Sequence, residues 1–125
     1  MILDTNALSA VVDGDPQIEP YFKNAPLVAI PVIVLGEYRF GVLQSKRREQ
    51  HETWLRKNLG DYLILDLTGE TATIYGEVRF ELKKTGRPIP SNDVWIAALA
   101  RQHGMPVLSR DVHFDLVKGS RRVGW

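Results

Sequence analysis

The sequence predicts an α/β sandwich, three layers deep, with a central and mainly parallel β-sheet flanked by helices. Three observations carry that prediction. Short apolar runs alternate with longer stretches of helical pattern. One run, Leu27-Val28-Ala29-Ile30, is unbroken by polar residues, the mark of a strand covered on both faces. The chain has 125 residues, 44% of them hydrophobic, which suits one core and a single domain over 1–125.

The elements follow in order. Met1-Ile2-Leu3 reads as a buried strand ending at Asp4, and Asn6–Val12 as a short helix closed by the turn Asp13-Gly14-Asp15-Pro16. A second short helix follows Pro16. After the strand Leu27–Ile30, Pro31 suits the first turn of a helix that runs from Val32 to about Ser45. Glu49–Asn58 continues as a second helical segment, and Tyr62–Leu67 is the next strand. Thr68 caps a helix that runs to about Thr85, with Tyr75, Val78 and Leu82 on one stripe. Gly86 ends it, and Pro88 and Pro90 keep it ended. Ser91 caps a very apolar helix, Asp93–His103, that stops before Gly104. Pro106–Ser109 is a strand, Val112–Lys118 a short helix and Arg121–Trp125 a last short strand. This pattern does not dictate the order of the strands.

Composition removes several function classes. The net charge is +1, so the molecule as a whole is no polycation. Basic residues do cluster at Lys46, Arg47 and Arg48, at Lys83, Lys84 and Arg87, and at Arg121 and Arg122, where they are either solvated helix ends or contacts for an RNA backbone. There are no cysteines, which excludes disulfides and thiolate metal sites and fits the cytoplasm. No basic-then-apolar leader precedes Asp4, and the apolar run Leu27–Leu35 is too short for a membrane span and contains Pro31.

Four acids then stand out. Asp4 follows the first strand and Asp111 follows Val107-Leu108-Ser109 by two residues. In open α/β sheets, ligands bind beyond the carboxyl ends of the strands, so both acids are expected on one rim. Glu37 falls on the helical stripe Ile33, Glu37, Phe40, Gly41, where a carboxylate is costly to bury without a partner. Gly36 and Gly41 weaken that helix and point to a close approach to its backbone. Asp93 opens the apolar helix, with its amino end at the same rim. Each acid has an ordinary explanation: Asp4 as a helix cap, Asp93 as a partner of the helix dipole, Asp111 as a turn residue, Glu37 as a partner of Arg39 or Arg79. Together, four acids on one rim point to a hard cation held by oxygen ligands. The scatter of His51, His103 and His113 argues against zinc.

At this point a family resemblance becomes visible. Ile2-Leu3-Asp4-Thr5-Asn6, Val34-Leu35-Gly36-Glu37-Tyr38-Arg39-Phe40-Gly41, Pro90-Ser91-Asn92-Asp93-Val94-Trp95-Ile96-Ala97-Ala98 and Leu108-Ser109-Arg110-Asp111-Val112-His113-Phe114 occur in this order. With them the chain resembles the PIN domains, specifically the VapC-type toxins, over nearly its whole length. The resemblance implies a Mg²⁺- or Mn²⁺-dependent endoribonuclease with Asp4, Glu37, Asp93 and Asp111 as its acidic quartet. Asp4 and Asp93 match the most direct metal ligands, while Glu37 and Asp111 match positions that bind directly or through water, with Glu37 acting on the attacking water. Asn6 matches a small polar position beside the first acid, and Ser109 a supporting hydroxyl. Asp115 lies where a further acid sometimes occurs and is read as structural. The resemblance also implies an RNA substrate, a cognate antitoxin protein that blocks the site, and a homodimer. An apolar excess around Tyr38, Phe40 and Trp54 is either core packing or a groove for a partner helix. Pro31 departs from the family, which often has serine or threonine opening the Glu37 helix.

The alternative is a non-catalytic PIN-fold module that grips RNA or protein, but such variants usually lack part of the quartet. A haloacid-dehalogenase-type phosphatase needs a second aspartate where Asn6 stands. A phosphoacceptor domain needs paired acids and a strand lysine that are not visible.

Overall fold

The computed structural model describes all residues, 1–125. Five short strands form its centre: β1 (Ile2–Leu3), β2 (Ala29–Pro31), β3 (Leu63–Leu65), β4 (Val107–Leu108) and β5 (Arg122–Val123). They lie in the order β3-β2-β1-β4-β5, and every neighbouring pair is parallel. The expected sheet is thus parallel throughout. Six helices connect the strands: α1 (Thr5–Val12), α2 (Glu19–Phe22), α3 (Val32–Gln44), α4 (Arg48–Asn58), α5 (Gly69–Lys84) and α6 (Ser91–His103). A 3₁₀ turn, Val112–Leu116, stands where a short helix was expected to reach Lys118.

Two interior strands explain the composition. β1 and β4 are wholly buried on both faces, as Ile2, Leu3, Val107 and Leu108 show no exposure. Such strands need apolar residues at every position, so their sequence cannot alternate. α6 is buried almost as deeply, with Val94 and Ile96 to Ala100 inside the core. Its alanines let it lie close against its neighbours, and Gly104 ends it in the left-handed conformation, φ 63°, that only glycine adopts without strain.

Three local expectations shift. Ser91 is the first residue of α6 and does not cap it. Pro90 holds the preceding position with φ −55°, and the Ser91 hydroxyl instead meets the Tyr75 hydroxyl at 3.0 Å. Proline lacks an amide hydrogen and carries a fixed φ, so the helix begins directly behind it. Pro31 ends β2 and precedes α3 for the same reason. The stripe assigned to Glu37 is not the buried one. α3 buries Val34, Tyr38 and Val42, which leaves Glu37 and Phe40 exposed.

The topology positions the site. The chain builds outward from β1 to β2 and β3, then returns to place β4 on the other side of β1. The strand order reverses between β1 and β4, and ligands bind beyond the carboxyl ends of the strands at such a switch point. The segment after β4 is held there by Phe114, which is fully buried beneath the 3₁₀ turn. Phe114→Ala is expected to destabilise the protein by about 3–5 kcal/mol. Urea unfolding measures this, and a loss below about 1 kcal/mol would show that the turn is not anchored by that ring.

Candidate active site

Register builds the site first. Leu3 pairs with Leu108 across β1 and β4, so the next residues, Asp4 and Ser109, are neighbours. Both are buried, Asp4 to 5% exposure and Ser109 completely. The Ser109 hydroxyl donates to Asp4 Oδ2, and the Ala7 amide donates to Asp4 Oδ1 at 2.8 Å. Asp4 therefore does cap α1, and the cap uses only one carboxylate oxygen. Ser109 also accepts the Asp111 amide at 2.9 Å, so one hydroxyl links two acids. Asp111 in turn caps the 3₁₀ turn by accepting the His113 amide at 2.9 Å.

The helices bring the rest. Asp93 lies in the first turn of α6, with its side chain 19% exposed. Glu37 leans from α3 toward the rim. Thr5 Oγ1 donates to its Oε2 at 2.8 Å, and Asn92 Nδ2 donates to its Oε1. Neither arginine offered as its ordinary partner takes that place. Arg39 pairs with Glu52, and Arg79 donates to Tyr75. Nothing in the chain would touch a Cβ at Gly36 or Gly41, so no part of this chain approaches α3 closely there.

An open cavity of about 320 Å³ collects these groups. It is lined by Asp4, Thr5, Asn6, Glu37, Pro90, Asn92, Asp93, Ile96 and Asp111. All four predicted acids meet in it, with Asn6 on its wall and Ser109 beneath Asp4. Asp115, by contrast, takes both ends of the Arg122 guanidinium at 3.0 Å, as expected of a structural residue. Arg110 is tied to the Gln17 side chain at 3.0 Å and lies over the Trp125 ring.

Three contributors escape sequence reasoning. Thr5 and Asn92 clamp Glu37 from α1 and α6. The histidines are scattered as the sequence has them, but one of them, His113, reaches the acids: its Nδ1 is 3.0 Å from Asp93 Oδ2 and 3.0 Å from Asp111 Oδ1. The signal available in the sequence was its place two residues after Asp111.

Electrostatics show what the arrangement demands. Burial pushes the Asp4 carboxyl up from its ordinary value, the Ser109 and Ala7 hydrogen bonds oppose this, and Asp93 and Asp111 add to it. Burial also raises Asp93; the His113 bond pulls it down, and the charges of Asp111 and Glu37 raise it further. The His113 imidazole is held above its usual value, chiefly by its hydrogen bond to Asp93. No lysine or arginine makes an ion pair with any of the four acids. Clustered carboxylates, with the proton affinity of Asp4 and Asp93 raised, fit a divalent cation with oxygen ligands.

Comparison with known proteins agrees. A family model described as PIN domain matches residues 1–120. Ribonuclease VapC2 of Rickettsia felis is 32% identical over 117 residues, covering 89% of this chain and 86% of that protein. The crystal structure of VapBC2 from Rickettsia felis, bound to a DNA fragment from their promoter, superposes with a TM-score of 0.89 at 26% identity, over 99% of this chain and 97% of the other. VapBC-5 from Mycobacterium tuberculosis, a member of the VapBC family of toxin-antitoxin systems, gives a TM-score of 0.69 at 27% identity, over 98% of this chain and 94% of the other. From its first strand to its last 3₁₀ turn, the chain belongs to the PIN domain family, among its VapC-type members.

Proposed function

We propose that this chain is a divalent-metal-dependent endoribonuclease and the toxin of a toxin–antitoxin pair. The observation that carries the reading is the meeting of Asp4, Glu37, Asp93 and Asp111 in one cavity at the switch point of the sheet. The relatives named as ribonucleases and the toxin–antitoxin complexes among the solved structures support the activity and the context. No helix is long and apolar enough to cross a membrane. A toxin that cuts RNA acts where RNA is, so a cytoplasmic location belongs to this proposal.

Roles follow from placement. Asp4 and Asp93 would hold the cation, Mg²⁺ or Mn²⁺, with Asp111 completing the set. When bound, such an ion lowers the pKa of water and offsets the charge that gathers on a phosphate in the transition state. Ser109 holds the Asp4 carboxylate and the main chain of Asp111, so the two acids are kept on one rim. Glu37 is the exposed acid, and its two clamps orient it toward the cavity. There it would position the attacking water and accept its proton as the water oxygen bonds to phosphorus; the phosphodiester P–O bond breaks and the leaving ribose oxygen takes up a proton from solvent. Asn6, on the cavity wall, is free to meet the phosphate or the ribose. RNA approaches a rim of four acids only with the cation in place.

Two protein partners belong to this reading. One is a cognate antitoxin that closes the rim. The other is a second copy of this chain. Of the three residues where a groove was considered, Tyr38 is buried and stacked on His51, and Trp54 packs on Tyr62. Those two serve the core. Phe40 is 64% exposed, and with Val32 and Leu43 it forms an apolar stripe along α3. Such a stripe supports burial against another chain.

The direct test is RNA cleavage by the purified protein in Mg²⁺, Mn²⁺ or EDTA. Cleavage is expected with either metal, none with EDTA, and a fall of roughly 10³-fold or more, about 4 kcal/mol, in Asp4→Asn. Wild-type cleavage by that variant would overturn the assignment. Light scattering tests the dimer. The wild type is expected at twice the 14.2 kDa of one chain and Phe40→Glu at the single mass; a monomeric wild type would remove the dimer from the reading.

A further inference from the structure

His113 is placed by the same anchors that place Asp111. Its main-chain amide is bonded to Asp111 Oδ1, and the next residue, Phe114, is locked in the core. Its main chain is therefore fixed at the rim, and the ring projects from there toward Asp93 and Asp111. One oxygen each from Asp93 and Asp111 and one ring nitrogen of His113 all lie within 4.8 Å of one another. These donors come from two separate elements, the first turn of α6 and the 3₁₀ turn.

Resting on the cation site proposed above, we infer that His113 Nδ1 is itself a ligand of the divalent ion, beside Asp93 and Asp111. The spacing carries the inference. Adjacent donors on an octahedral ion with bonds of about 2.0–2.1 Å stand about 2.9 Å apart. The two Nδ1-to-oxygen distances are 3.0 Å and 3.0 Å. A single N–H points along one line and satisfies one carboxylate well. Here the nitrogen is equidistant from oxygens of two different residues, an arrangement that suits an ion lying among all three. Neutral imidazole is a common metal ligand through either nitrogen.

The consequence is metal choice. Carboxylates and water suit Mg²⁺ and Mn²⁺ alike, whereas an imidazole nitrogen adds affinity for first-row transition ions over Mg²⁺. His113 thus makes this site more selective for Mn²⁺ than an all-oxygen quartet would be.

The test uses Mn²⁺ as the probe on the full chain, without RNA. Pulsed electron paramagnetic resonance of bound Mn²⁺ is expected to show hyperfine coupling to a nitrogen in the wild type and none in His113→Asn. In the same variant, Mn²⁺ affinity is expected to fall about tenfold or more, while Mg²⁺ affinity, read by competition, changes by less than about threefold. The ring is partly exposed, so the variant is expected to fold, which circular dichroism checks; His113→Gln serves as a second variant. Mn²⁺ that is lost in Asp4→Asn yet shows no nitrogen coupling in the wild type would overturn the inference and leave the cation site standing. Mn²⁺ binding that is unaffected by Asp4→Asn, or absent from the wild type, would overturn both.

Discussion

Asp4 keeps only 5% of its surface in water, and its carboxyl is pushed up from the ordinary value by that burial and by the charges of Asp93 and Asp111. Burying a carboxylate costs several kcal/mol unless hydrogen bonds or opposite charge offset it. Ser109 and Ala7 supply hydrogen bonds, and no basic side chain supplies charge. The rim thus sets four carboxylates against one imidazole, His113, with no lysine or arginine paired to them. Much of the surrounding structure keeps the acids together against this repulsion: the cap on α1, the two hydrogen bonds of Ser109, the Thr5 and Asn92 clamps on Glu37 and the buried ring of Phe114.

The parallel sheet makes that convergence possible. With all five strands pointing one way, each strand-to-helix connection on the carboxyl side opens onto the same edge. β1 and β4 place Asp4 and Ser109 side by side through register, with no loop needed between them. α3 starts directly after β2, so Glu37 rises from the same edge, and α6 brings its first turn to it. Strands of two or three residues suffice, because the core on both sides is supplied by helices and by wholly apolar strand faces.

Much of this was legible because its signals are local. Each of Asp4 and Ser109 ends an apolar run, Asp93 opens an apolar helix, and Asp111 follows within two residues of a strand. Runs of that kind can only be buried strands or helices, and their ends carry the chemistry. The order β3-β2-β1-β4-β5 was not legible, because nothing in a two-residue strand specifies its neighbour. The face of α3 was misjudged for a related reason. Val32, Ile33, Val34 and Leu35 put apolar groups all around its first turn, so no periodicity separates core from surface. The contacts of Thr5 and Asn92 with Glu37 join residues 32 and 55 positions apart, and that of His113 with Asp93 joins residues 20 apart. They depend on how helices cross, which the sequence does not encode locally.

The central claim is that this rim is built for a divalent cation, and thermal unfolding with and without Mg²⁺ tests it most directly. The folded chain raises the proton affinity of Asp4, Asp93 and His113 above their unfolded values. Their contribution to the metal-free protein is therefore fully present below the unfolded values and is lost as pH rises through the raised ones. A cation needs the same groups deprotonated, so it competes with protons and restores stability where they have left. Mg²⁺ is expected to raise Tm little near about pH 5 and strongly near about pH 8, where metal at about 100 times its Kd adds about 2.7 kcal/mol. Asp4→Asn is expected to lose most of that gain. A Tm indifferent to Mg²⁺ at every pH, or a gain as large in Asp4→Asn as in the wild type, would contradict the claim.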